Sequence, residues 1–125
     1  MITARDLSKV YGKTTVLRNI SFDLDEGRIL GIIGHNGAGK TTLLKILAGL
    51  IEPSGGQLAI NGKNALNNPD GIRQVIGYLP EESRLYETMR VNEYLTFFGE
   101  IYGMDRSSIR ARSRDLLDWL ALEDN

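Results

Sequence analysis

The stretch RILGIIGHNGAGKTTLLKILAGL, Arg28 to Leu50, decides how the rest of the chain is read. Its first part, Ile29 to Ile33, is a continuous apolar run, as expected of a strand buried on both faces of a parallel sheet. Its last part, Lys40 to Leu50, is apolar on nearly every side and predicts a buried helix. Between them, Gly34-His35-Asn36-Gly37-Ala38-Gly39-Lys40-Thr41 fits G-x-x-x-x-G-K-[ST] at every fixed position. Glycines let a backbone curl until successive N–H groups converge on phosphate oxygens. A helix starting at Lys40 aims its positive end at the same place. Lys40 then supplies a full charge to β- and γ-phosphates, the Thr41 hydroxyl can ligate Mg²⁺, and Thr42 can reach the α-phosphate. Strand, loop and helix thus predict a nucleotide site. His35 and Asn36 occupy variable positions of the loop, where only the backbone need touch phosphate.

Working outward, residues 2–9 read as a strand and Tyr11 to Thr14 as a turn. From Asn19 to Asp25, Ile20, Phe22 and Leu24 alternate with polar residues, the pattern of a half-buried, antiparallel strand. Gly49 and the run Glu52 to Gly56 end the helix. Gln57 to Ile60 with Asn61-Gly62 predicts a strand entering a tight turn. Asn68-Pro69-Asp70 starts a short helix to about Gln74, and Val75 to Leu79 reads as a second buried strand. Beyond residue 85 the pattern turns helical. Val91, Tyr94, Leu95, Phe98, Ile101 and Tyr102 form an apolar stripe, and Asp105 caps a helix lined by Ile109, Ser113, Leu116, Leu117 and Leu120. The chain therefore divides into a sheet-rich part, 1–82, and a helical part, 83–125.

Fifteen basic and sixteen acidic side chains leave a net charge of −1, so no bulk field draws the 125-residue chain to nucleic acid or acidic lipid. Arg106, Arg110, Arg112 and Arg114 are interleaved with acids rather than aromatics and read as a solvated helix face. The absence of cysteine excludes disulfides and thiolate metal sites. The first residues lack a signal peptide's apolar core, and no run approaches the roughly 20 apolar residues that cross a bilayer. Contact with a membrane would go through a partner.

The loop alone allows GTPases, nucleotide kinases and several ATPases. Neither Asn-Lys-x-Asp nor Asp-x-x-Gly occurs, which argues against a GTPase. Taken together with LSKVYGKTTVLRNISFDLDEG before the loop and IGYLPEESRLYETMRVNEYLTFFGEIYG after it, the chain resembles the first part of an ABC transporter ATP-binding domain. The resemblance runs from Met1 to Asn125. It implies an α/β, P-loop NTPase fold of the ABC ATPase type: N-terminal antiparallel strands, part of a parallel core sheet, then a partial helical subdomain. It implies ATP and Mg²⁺ as ligands, with Gly34, His35, Asn36, Gly37, Ala38, Gly39, Lys40, Thr41 and Thr42 as the Walker A loop. Tyr11 matches the aromatic residue that stacks on adenine; without the resemblance it is equally a turn tyrosine packing on the sheet. Val16 matches a residue at the adenine edge, or is a plain core valine.

Glu81 stands where the family usually has the Q-loop glutamine, which touches Mg²⁺ and links the site to the membrane partner. A carboxylate can still ligate Mg²⁺ but brings negative charge towards the γ-phosphate. The Leu-Pro-Glu-Glu form looks like that of a subset of bacterial export-type members; Glu81 as a solvated loop acid is the other reading.

The implied function is that of the motor subunit of a transporter, coupling ATP binding and hydrolysis to transport. The implied partners are a transmembrane permease and a second ATP-binding domain, identical or not. The place would be the cytoplasmic face of the cell membrane, with no direct nucleic-acid binding. A soluble ABC-type ATPase acting on nucleic acid or ribosomes is the alternative; Ser83 to Tyr86 with the apolar helix after them favours a transporter, because that segment would dock a permease. The family's Leu-Ser-Gly-Gly-Gln signature, its Walker B strand ending in Asp-Glu and its switch histidine do not occur in these 125 residues. The expectation is an incomplete ABC-type domain that grips ATP without hydrolysing it, with no catalytic residue assigned beyond Glu81 at the Q-loop position.

Overall fold

The computed structural model describes residues 1–81 and 88–122. Its elements are β1 (Ile2–Tyr11), β2 (Thr14–Leu24), α1 (Lys40–Leu47), β3 (Gly55–Ile60), β4 (Lys63–Asn64), α2 (Pro69–Arg73), α3 (Val91–Ile101) and α4 (Arg106–Trp119). They fall into two compact units, Met1–Tyr78 and Leu79–Asn125.

In the first unit the four strands form one antiparallel sheet in the order β2-β1-β3-β4. The expected alternation in β2 is present, with Ile20, Phe22 and Leu24 partly buried and Asn19, Ser21 and Asp23 exposed. Register slips between Ala4 and Leu7 on β1, where Asp6 adopts φ 50°, and again between Leu7 and Lys9, opposite which Asn19 of β2 adopts φ 48°. These irregular positions are tied by hydrogen bonds from Asp6 N to Ser21 Oγ (2.8 Å) and from Asn19 N to Ser8 Oγ (3.0 Å). Asn61 and Gly62, at φ 50° and 74°, close the β3–β4 hairpin as a two-residue turn. Asn68 Oδ1 accepts from Gly71 N at 2.9 Å and starts α2, as its sequence predicts.

The core of this unit is wholly apolar, built from Ala4, Leu7, Leu17, Leu43, Ile46, Leu58, Ile60, Ala65 and Ile72. Leu7, Ile46 and Leu58 are fully buried, each stabilising the unit by about 1.5–3 kcal/mol. Helix α1 packs on the core through buried Leu43 and Ile46 and half-buried Leu47, while Leu44 and Leu50 are exposed. The sequence predicted a longer helix buried all round. It ends instead at Leu47, where Ala48 is the C-cap and Gly49, at φ 67°, turns the chain out of the helix.

Residues 29–33 and 75–79, expected as two strands of a parallel core sheet, form no ladder among the described residues. Ile29 is 99% exposed and Ile33 97%. A parallel strand needs a hydrogen-bonded neighbour and cover on both faces, and the described elements supply neither.

In the second unit, Arg90 N donates to Glu93 Oε2 at 2.9 Å to start α3. Asp105 caps α4, accepting from Ser108 N at 3.0 Å and Ser108 Oγ at 2.6 Å, and also from the Ser107 hydroxyl. The expected apolar stripes are only partly buried. Tyr94, Leu95 and Phe98 are half-buried, whereas Val91, Ile101 and Tyr102 are exposed. On α4, Ile109 and Leu117 are buried, but Leu116 and Leu120 are not. The α3–α4 crossing is made by Gly99 against Ile109, a contact that hydrophobic periodicity does not register.

Candidate phosphate site

The loop Gly34–Thr42 is shaped at Gly39, the residue before α1. Its φ of 88° suits glycine, and an added Cβ would lie 2.8 Å from Leu17 Cδ2 and 2.8 Å from Val16 O. The turn is therefore pressed onto strand β2. Ala38 N donates to His35 O at 3.2 Å and Leu43 N to Gly39 O at 2.9 Å, closing the turn and opening the helix.

Lys40 folds back over the loop, where its Nζ donates to Gly34 O and His35 O, both at 2.7 Å. An ammonium has three donors, so one is left for a ligand. No side chain caps α1, and no acid stands in its first turn. The first N–H groups of a helix need partners from outside it, and here they share their position with the Lys40 charge. A cation at a helix N-terminus is unfavourable by itself, so an anion is what this end can accept. Thr41 is exposed and its hydroxyl is bonded to no described group; Thr42 is half-buried. His35 and Asn36 are both exposed, with His35 Nδ1 2.7 Å from Asn36 O.

Among the other expected residues, Val16 is half-buried and touches the loop at the Gly39 position. Tyr11 is 49% exposed at the end of β1, with Lys9 Nζ 5.0 Å from its ring centroid. That cation covers one face of the ring. Glu81 lies in the second unit on an exposed bend. Ser83 to Tyr86 lie outside the described residues.

Two partners of the loop escape a reading of the sequence. Leu17 backs Gly39 from more than twenty positions upstream, and Lys40 bonds the loop that precedes it; neither contact leaves a local pattern. Conversely, Ser54-Gly55-Gly56-Gln57 reproduces part of the signature string, but Gly55 to Gln57 are spent as the start of β3, with Gly55 paired to Ser8 and Gln57 to Arg5. No cluster of three or more His, Cys, Asp or Glu able to hold a metal occurs among the described residues. No described helix is long and apolar enough to cross a membrane.

The sequence matches the family described as ABC transporter over residues 17–125. It is 47% identical over 119 residues to an ABC transporter ATP-binding protein of Methanocaldococcus jannaschii, covering 95% of this chain and 40% of that protein. It is 37% identical to the ABC transporter ATP-binding protein NatA of Bacillus subtilis, covering 99% of this chain and 52% of NatA. The chain thus spans about half the length of these relatives, or less. A solved ATP-binding subunit of an ABC transporter superposes with a TM-score of 0.83 at 35% identity, covering 98% of this chain and 51% of that one. A dimeric ATP-binding cassette bound to ADP and phosphate shares the fold, with a TM-score of 0.81 at 22% identity, covering 99% of this chain and 59% of that one.

Proposed function

Since the chain belongs to the ABC transporter ATP-binding family, we propose that Gly34 to Thr42 grip the phosphates of ATP, as the nucleotide-holding part of a transporter's motor. The observation that carries this is the end of α1: uncapped, without an acid, and topped by Lys40. Phosphate oxygens satisfy the N–H groups of the loop and of the first turn, and Lys40 Nζ keeps the loop closed around them. Tyr11 offers its open ring face to adenine, where stacking contributes about 1–3 kcal/mol, and Val16 lines the edge of that position.

The exposed Thr41 hydroxyl is a hard oxygen donor of the kind Mg²⁺ takes, with the nucleotide's own oxygens completing the shell. When bound, that ion would neutralise charge on the phosphates. Hydrolysis needs a group that orients water opposite the γ-phosphate, and no glutamate closes an apolar strand in these residues. The chain by itself is therefore a binder without turnover. In the assembled motor its partners are a permease and a second ATP-binding domain, and its place is peripheral, on the cytoplasmic face of the membrane.

Titration with Mg·ATP, followed calorimetrically, tests the reading. The chain should bind, and Lys40→Ala should weaken binding at least tenfold, since a hydrogen bond to a charged group contributes about 1.5–3 kcal/mol. Binding that is indifferent to Lys40 would sink the assignment of the loop. Steady turnover by the chain, lost in Lys40→Ala, would overturn the binder-only reading and make Glu81 the first suspect.

A further inference from the structure

Two Asn-Gly pairs occur in the chain, Asn36-Gly37 inside the phosphate loop and Asn61-Gly62 in the β3–β4 turn. A backbone nitrogen following asparagine is least shielded when it belongs to glycine, which has no Cβ. The structure holds the two asparagines differently. Asn61 Oδ1 accepts from the Met1 ammonium at 3.0 Å, and Asn61 N donates to Met1 O at 2.9 Å. Asn36 is exposed, and its side-chain amide makes no hydrogen bond among the described residues. Gly37 and Gly62 are alike open, with nothing within 4 Å of the position a Cβ would take, so the two pairs differ at their asparagines.

The surroundings of Asn36 also favour negative charge on the Gly37 nitrogen. A carbonyl oxygen only accepts, so His35 Nδ1, 2.7 Å from Asn36 O, is the protonated ring nitrogen there. That bond draws electron density from the peptide group whose nitrogen belongs to Gly37. The positive end of α1 and the Lys40 ammonium, held on His35 O, add to the same field.

We infer that Asn36 is a site of spontaneous deamidation, which converts the phosphate loop into a form carrying a carboxylate. The Gly37 N–H gives its proton to hydroxide, and the nitrogen attacks Asn36 Cγ. The N–Cγ bond forms, the Cγ–Nδ2 bond breaks, and ammonia leaves with a proton from water. Water then opens the resulting succinimide. Attack at Cγ yields aspartate; attack at the main-chain carbonyl yields isoaspartate, with the backbone running through Cβ. No electrons change hands. Either product sets a negative charge among the N–H groups aimed at phosphate, and isoaspartate also lengthens the loop by one methylene. The consequence for ATP rests on the proposed function; the modification itself does not.

Storage of the chain in mildly alkaline buffer, with peptide mass mapping and isoaspartyl methyltransferase labelling, tests the inference. Asn36 should convert several-fold faster than Asn61, and the two rates should converge in urea. Equal rates in the folded chain, or a difference that survives unfolding, would overturn the structural account. His35→Phe should slow conversion at Asn36 several-fold and leave Asn61 unchanged; an unaltered rate removes the ring's part. Mg·ATP should protect Asn36 alone. Conversion of Asn36 that ATP does not slow leaves the modification standing and overturns the nucleotide reading of the loop.

Discussion

A methyl group added at Gly39 would meet Leu17 Cδ2 and Val16 O at a backbone φ of 88°. Gly39→Ala therefore combines a strained conformation, costing about 1–3 kcal/mol, with a collision against main chain that cannot yield cheaply. The expected outcome is a lower urea midpoint for the first unit together with weakened ATP binding. An unchanged midpoint would mean that β2 does not press on the loop. Asp105 works at the same scale. The Ser107 hydroxyl, then the hydroxyl and N–H of Ser108, hold its carboxyl well below the usual carboxylate range. A depressed value in the folded state means that the cap's contribution is present above the unfolded value of about 3.9 and fades as pH falls towards the folded one. Asp105→Ala should thus be less stable than the parent at neutral pH, with the gap narrowing below about pH 4. Melting curves across that range check it, and a gap independent of pH would contradict the charge-based account. The residues that start elements were legible in the sequence because a cap or turn is settled within three or four positions. Asn68, Asp105 and the pair Asn61-Gly62 all sit where their chemistry places them.

Elements were legible in type and less so in extent. The helix after the phosphate loop was expected to reach Leu50 and stops at Leu47. Its composition allowed burial on every side, but burial is decided by what lies opposite, and no described residue covers Leu44 and Leu50 fully. The α3–α4 pair shows the reverse case. A Cβ at Gly99 would lie 2.6 Å from Ile109 Cγ1, so the helices approach closely at a residue that carries no apolar side chain. Gly99→Ala gains up to about 1 kcal/mol in helix propensity, against about 1–3 kcal/mol for overpacking at the crossing. A net loss of stability is expected, partly restored by Ile109→Val in the same chain. Thermal melting of the single and double variants decides it, and a stabilised Gly99→Ala would show the crossing to be looser than drawn.

At the scale of the molecule, Ile29 and Ile33 stand almost fully in water on a segment that pairs with no described strand. Unpaired apolar backbone of this kind is a template for association. The chain should bind a dye such as anilinonaphthalene sulfonate and self-associate with concentration. Ile29→Lys with Ile33→Lys should reduce both while leaving far-UV circular dichroism unchanged; loss of the spectrum instead would show that the two isoleucines support the fold.

The glycine-rich loop proposed to grip phosphate, the caps and the tight turns were written in the sequence alone, since each depends on residues a few positions apart. Which face of α1 is buried, that Leu17 backs Gly39, that Lys40 closes its own loop, and that Ile29 to Ile33 pair with no described strand were decided only in three dimensions. Those outcomes depend on which distant segments arrive as neighbours, and an apolar run specifies a wish for cover without naming what supplies it.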